Sequence, residues 1–127
     1  MAEQNTILVV DDAALVRRYY RSTLEEAGFN VAEAMNGLEA LERLLEKPFD
    51  MLIVDVNMPQ MDGLTFLSLL RQKEPAIAAI PALITSTESG LHDFEAARAA
   101  GANFYLVKPL AREVLLQFAA MFCGSRR

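Results

Sequence analysis

Apolar and polar residues follow one another along this chain on two different periods. Five short, nearly unbroken apolar runs stand between longer segments in which apolar positions recur every three or four residues. The short runs are Thr6–Val10 (TILVV), Asn30–Ala34 (NVAEA, the least apolar), 50–55 (DMLIVD), 81–86 (PALITS) and 103–107 (NFYLV). Their length and β-branched content predict strands, and the continuous apolar character of the first, third and fourth predicts burial on both faces. Pro81 fits a strand as its first residue. The intervening segments predict helices. Residues 13–27 place Val16, Tyr20, Leu24 and Ala27 on one face, with Gly28 as the stop. Residues 36–47 place Leu38, Leu41, Leu44 and Leu45 on one side and end ahead of Pro48. Residues 64–73, 91–101 and 110–122 continue the series, the second ending on Gly101.

Strand and helix thus alternate five times. Strands separated by helical segments form βαβ units, so the expected fold is α/β: a doubly wound, five-stranded parallel sheet with helices on both faces. A length of 127 residues suits one domain over 1–127. The repeating unit is the βα step and not a solenoid repeat, and no linker or low-complexity segment interrupts it.

Composition narrows the functional classes. A hydrophobic content of 53% is ample for a core and argues against disorder. A net charge of −5 with no basic stripe argues against direct nucleic-acid binding. Arg17, Arg18 and Arg21, and Arg126 with Arg127, read as a solvated helix face and a frayed tail. The single Cys123 cannot form a disulfide within the chain and reads as a packing residue. No apolar stretch approaches the roughly 20 residues of a membrane span, and TILVV is too short for a signal peptide. The expectation is a cytoplasmic monomer without membrane insertion.

Candidate chemistry gathers where the fold predicts a ligand: beyond the carboxyl ends of the strands. Asp11 and Asp12 follow the first strand. Asp55, Val56 and Asn57 close the third. Ser86, Thr87 and Glu88 close the fourth, and Lys108 and Pro109 follow the fifth. Two unit charges about 5 Å apart repel by roughly 3 kcal/mol at an effective dielectric near 20. Three carboxylates at one edge therefore call for cations. Lys108 offers one charge, and a divalent ion such as Mg²⁺, which favours hard oxygen ligands and neighbouring phosphates, would offset the rest. Acid cluster, metal, lysine and hydroxyl are the parts phosphoryl transfer uses, and a carboxylate can be its nucleophile.

Plainer roles are available for single residues. Asp11 and Asp12 would also favour the start of a helix, and Asp62, beyond the loop's apex, reads as an N-cap. Lys108-Pro109 alone reads as a turn, and Tyr105 alone as a half-buried strand aromatic. Tyr19 and Tyr20 are expected to split between surface and core. His92 is expected to be exposed, and Met58 and Met61 to flank the loop after the third strand.

Taken together, VVDD (9–12), DVNMPQMDG (55–63), PALITSTE (81–88) and YLVKP (105–109) resemble the receiver domain of two-component response regulators, in particular the stand-alone chemotaxis, CheY-like type. The resemblance spans 7–122. It implies the flavodoxin-like (βα)5 fold with strand order 2-1-3-4-5, which is the order of CheY itself. It further implies that Asp55 accepts the phosphoryl group. Asp12 and Asp55 would bind Mg²⁺ through carboxylates, Asp11 through water, and Asn57 through its backbone carbonyl. Ser86 would hydrogen-bond the phosphoryl group, with Thr85 and Thr87 as alternatives in the same TST run, and Lys108 would pair with it. The family uses a cis peptide ahead of Pro109. Tyr105 corresponds to an aromatic switch that turns inward when the hydroxyl moves.

The implied partners are a histidine kinase as phosphodonor and a downstream protein, the flagellar motor switch in the chemotaxis case. Docking is expected on the helix 91–101, the fifth strand and the last helix. No further domain is seen after the receiver, so output is expected through binding in trans and not through turnover as an enzyme. A phosphate sink, or a regulator outside chemotaxis, fits the same residues. A hydrolase working through aspartyl-phosphate would place a second Asp where Asn57 stands and would need a cap domain. A flavin-binding electron carrier would have its cofactor phosphate repelled by Asp11 and Asp12. A receiver that does not take phosphate is disfavoured because each expected part is present.

Overall fold

The computed structural model describes residues 5–123. Its elements in chain order are β1 (Thr6–Val10), α1 (Ala14–Glu26), β2 (Asn30–Ala34), α2 (Gly37–Glu46), β3 (Met51–Asp55), α3 (Gly63–Leu70), α4 (Pro75–Ala78), β4 (Ala82–Ser86), α5 (Leu91–Ala100), β5 (Phe104–Val107) and α6 (Arg112–Cys123). The strands form one sheet, ordered β2-β1-β3-β4-β5 and parallel throughout. The order turns at β1, between β2 and β3, which is the switch point where such sheets open a crevice.

Strand alternation divides the core into two layers. Leu8, Val10, Leu52, Val54, Ala82 and Ile84 face α2, α3 and α5, and pack with Ala40, Leu44, Phe66, Leu67, Leu70 and Ala97. Ile7, Val9, Met51, Ile53 and Leu83 face α1 and α6, and pack with Tyr20, Leu24, Leu115 and Ala119. All five residues of β3 are buried. That two-sided burial is why the run reads as continuously apolar up to its final aspartate.

Several local expectations are corrected. In α2 the buried face is Gly37, Ala40 and Leu44, whereas Leu38 and Leu45 are exposed. The helix approaches the loop after β3 at Gly37, where a Cβ would stand 2.8 Å from the Sδ of Met61. Ala27 is the exposed C-cap of α1, and the turn is made one residue later by Gly28 at φ +98°. The single-turn helix α4 was not expected. Arg17 is not simply solvated, because it pairs with Glu33 at 2.9 Å and donates to the carbonyl of Asp11 at 2.7 Å. Arg126 and Arg127 lie outside the described residues. Tyr20 is buried and Tyr19 exposed, as expected; His92 is exposed, and Cys123 packs beside the α1–α6 core layer.

Arg71, just past the end of α3, holds the turn containing α4 to the loop between α5 and β5. Its guanidinium donates to the carbonyls of Gly101 (2.7 and 3.0 Å), Ala78 (2.8 Å) and Ile80 (2.6 Å), and to Asn103 Oδ1 (3.0 Å). Burial pushes its pKa down, yet an arginine remains charged. A lysine offers no planar fork. Arg71→Lys should therefore cost about 2 kcal/mol through carbonyls left unpaired. Thermal unfolding followed by circular dichroism would show a midpoint several degrees lower.

Candidate functional site

Neighbouring strands bring the acidic residues together. Val10 of β1 pairs with Val54 of β3, so Asp11 and Asp55 leave adjacent strands at the same level. One carboxylate oxygen from each of Asp11, Asp12 and Asp55 lies within 4.8 Å of the others. Asp11 and Asp55 are buried, and Asp12 is exposed. Asp11 is held on both sides: its N–H donates to Ala34 at 3.1 Å, continuing the β1–β2 ladder, and Oδ1 accepts from the N–H of Ala13 at 2.9 Å. This carboxylate thus serves the start of α1 and the site together.

Lys108 reaches the cluster from the end of β5. Its N–H donates to the carbonyl of Ser86 at 2.7 Å, and the Lys108-Pro109 peptide is cis. Its Nζ lies 2.8 Å from Asp11 Oδ2 and 3.2 Å from Asp55 Oδ1. Burial alone would lower the Lys108 pKa, but hydrogen bonds and charge from Asp11 and Asp55 outweigh it, and the ammonium is held above its usual range. Asp55 moves up as well. Burial is the main cause and Asp11 the second, against the opposing pull of Lys108.

Three carboxylates around one ammonium leave a net charge near −2. Carboxylates about 5 Å apart repel by roughly 3 kcal/mol per pair at an effective dielectric near 20. The donors are hard oxygens on three separate backbone positions, one of them reachable from solvent, and this set fits a divalent metal ion. A stability effect follows. A raised carboxyl pKa means the folded state binds that proton more readily than the unfolded chain, so ionised Asp55 costs stability in the metal-free protein. The cost is absent below the unfolded value and grows as pH rises through the folded one. At neutral pH, Asp55→Asn should stabilise the metal-free protein by about 1 kcal/mol or more. A divalent cation should raise the melting midpoint of the parent protein and lose most of that effect on the variant. Calorimetry with and without metal checks both signs.

The remaining expected residues surround this core. Asn57 is exposed on the loop after β3. Asp62 caps α3, accepting from the N–H of Thr65 at 2.9 Å and its hydroxyl at 3.1 Å. In the TST run, Thr87 is exposed, whereas Thr85 and Ser86 are buried. Thr85 pairs with Asp55 across β3 and β4. Ser86 Oγ accepts from the N–H of Glu88 at 3.0 Å. Tyr105 is half-buried, its hydroxyl donating to the carbonyl of that same Glu88 at 2.7 Å and its ring set edge-on to Phe94 at 4.6 Å. The Glu88 peptide groups therefore join the end of β4 to the aromatic residue of β5.

Tyr20 was expected only as core, and its position beneath the acids was not anticipated. Burial, then the charges of Asp11 and Asp55, push its phenol well above the usual range. Helical spacing marks the face it occupies. Nothing in that spacing says that the face ends under an aspartate.

This fold, with its acids and lysine at the switch point of the sheet, defines a class. The family model of the response regulator receiver domain matches residues 7–120, and the chain belongs to that family. Within it the chain is that of a CheY-like response regulator. It is 36% identical over 121 residues to the chemotaxis protein CheY1 of Helicobacter pylori, covering 94% of this chain and 97% of that protein. The structure of the Vibrio cholerae chemotaxis protein CheY4 superposes with a TM-score of 0.89 at 34% identity, covering 94% of this chain and 99% of that one. A protein-glutamate methylesterase/protein-glutamine glutaminase of Archaeoglobus fulgidus is 40% identical over 104 residues. That match takes in 81% of this chain but only 29% of the relative's length. No helix among the described residues is long and apolar enough to cross a membrane.

Proposed function

We propose that residues 1–127 act as a single receiver unit in which Asp55 accepts a phosphoryl group from the phosphohistidine of a cytoplasmic histidine kinase. The observation that carries this reading is Lys108 Nζ placed between Asp11 and Asp55, 2.8 Å from Asp11 Oδ2 and 3.2 Å from Asp55 Oδ1. In the transfer, an Asp55 carboxylate oxygen bonds to phosphorus as the phosphorus–nitrogen bond to imidazole breaks, and the electron pair leaves with the imidazole. Lys108 meets the negative charge on the transferring oxygens, and the Ser86 hydroxyl donates to one of them once it is released from Glu88. Asp12 and Asp55, Asp11 through water, and the backbone carbonyl of Asn57 would hold Mg²⁺. When bound, the ion supplies further positive charge to the phosphoryl oxygens.

The output follows from the same contacts. A phosphoryl group that draws Ser86 away from the Glu88 N–H frees the residue on whose carbonyl the Tyr105 hydroxyl rests. Tyr105 adjoins a face of α5, β5 and α6 on which Leu91 (70%), Phe94 (40%) and Phe104 (45%) are exposed. A downstream protein docks there. The similarity to chemotaxis proteins makes the flagellar motor switch the first candidate.

Incubation with acetyl phosphate and Mg²⁺, followed by intact-mass measurement, tests the acceptor. One phosphoryl group should be gained, and none after EDTA treatment or in Asp55→Asn. Gain by that variant at the parent rate would refute the assignment.

A further inference from the structure

Beside the acidic cluster is a cavity of about 300 Å³ that the chemistry above leaves unused. Val16, Tyr19 and Tyr20 of α1 form one side, and Thr87, Lys108 and Leu110 are among the residues that close it. The two tyrosine rings lie 5.8 Å apart, tilted by 52°. Tyr20 is 2% exposed and forms the floor, whereas Tyr19 is 42% exposed and forms the rim. The rim is fastened across the cavity, because the Tyr19 hydroxyl donates to the carbonyl of Leu110 at 3.2 Å. The walls are apolar and aromatic. Lys108 is the charged residue of the lining, and its ammonium touches Asp55.

Its volume is at the lower end for a small-molecule site, and apolar walls with one placed charge are what such sites offer. A ligand matching both carries a phosphoryl group toward Lys108 and a compact apolar group toward the tyrosines. Resting on the reading of Asp55 as acceptor, we propose that this cavity seats the acyl group of small acyl phosphates, so that the protein prefers donors with an aromatic acyl group. In the step, the Asp55 oxygen–phosphorus bond forms as the bond from phosphorus to the acyl carboxylate oxygen breaks. The electron pair leaves with the carboxylate, and no proton moves. A phenyl group in place of a methyl group adds apolar area for burial between Tyr19, Tyr20, Val16 and Leu110, which corresponds to about a tenfold lower half-saturating concentration.

The test compares benzoyl phosphate with acetyl phosphate, whose leaving carboxylates are similar in basicity, by initial rates of Asp55 phosphorylation over a range of donor concentrations. Benzoyl phosphate should half-saturate at about one tenth the concentration. Tyr19→Ala should erase the difference, raising the half-saturating concentration for benzoyl phosphate about tenfold more than that for acetyl phosphate, and Tyr19→Phe, which keeps the ring, should retain most of it. Tyr19 is at the surface, so both variants should fold. Equal half-saturation for the two donors, or a benzoyl preference that survives Tyr19→Ala, overturns the assignment of the cavity and leaves Asp55 as acceptor intact. Absence of label from either donor overturns the acceptor reading, and this one with it.

Discussion

Gly63→Ala is expected to destabilise the protein by about 3 kcal/mol and to lower the rate of Asp55 phosphorylation by about 100-fold. Gly63 opens α3, and its N–H donates to the carbonyl of Val56 at 2.9 Å. That bond draws the helix start tightly against the end of β3. A Cβ at this position would overlap the carbonyl oxygen of Asp55, and would lie 2.9 Å from its carbonyl carbon and 3.1 Å from Val54 Cγ1. The obstacle is buried backbone, so no rotamer change relieves it. Either α3 withdraws, opening the core around Phe66 and Leu67, or the tip of β3 shifts and carries Asp55 away from Lys108. Urea denaturation measures the first consequence and initial phosphorylation rates the second. Parent-like values for both would mean that this close approach is unimportant.

Lys108→Met is the second large effect. The substitution preserves most of the stem's volume and removes the ammonium, which leaves the buried carboxylates of Asp11 and Asp55 facing each other without it. Removing one partner from a buried pair costs about 3–5 kcal/mol. The loss should be most severe at neutral pH without metal. It should shrink as pH falls, because Asp55, already pushed up by burial and by Asp11, gains a proton more readily when Lys108 no longer opposes them. Divalent cations should recover part of it. Phosphorylation should slow by about 100-fold even with metal present, since a charge aimed at the transferring oxygens is gone. Melting curves across pH, with and without Mg²⁺, joined to phosphorylation rates, separate the two roles. A variant as stable and as reactive as its parent would contradict both.

The sequence conveyed some of these arrangements and hid others, for physical reasons. Strands β1, β3 and β4 are buried on both faces, and continuous apolar runs mark such strands plainly. Asp11, Asp55 and Lys108 could be grouped in advance because parallel βα units put every strand's carboxyl end at one edge of the sheet. Strand order was another matter. Periodicity says nothing of which strand lies beside which, and the order followed only from the resemblance. Helix α4 is a single turn, PAIA, started by Pro75, and one turn is too short to display a period. The buried face of α2 was misjudged because leucines outweigh a glycine and an alanine in any hydrophobic count. At Gly37 the space is taken by Met61 of the neighbouring loop, whose Sδ would stand 2.8 Å from an added Cβ, and Ala40 is buried on the same face. Tyr20 lies 35 residues from Asp55 and Arg71 lies 30 from Gly101, and local patterns carry no trace of such pairs.

Asp55, and no other group, is expected to take the phosphoryl group in a metal-dependent step. The most direct measurement is a time course of transfer from a phosphorylated histidine kinase, with the product digested and the modified peptide located by tandem mass spectrometry. Label is expected on Asp55 alone, released by hydroxylamine as an acyl phosphate is, and lost with EDTA or in Asp55→Asn. Label on Asp12, Ser86 or Thr87, label that resists hydroxylamine, or undiminished transfer to Asp55→Asn would contradict it.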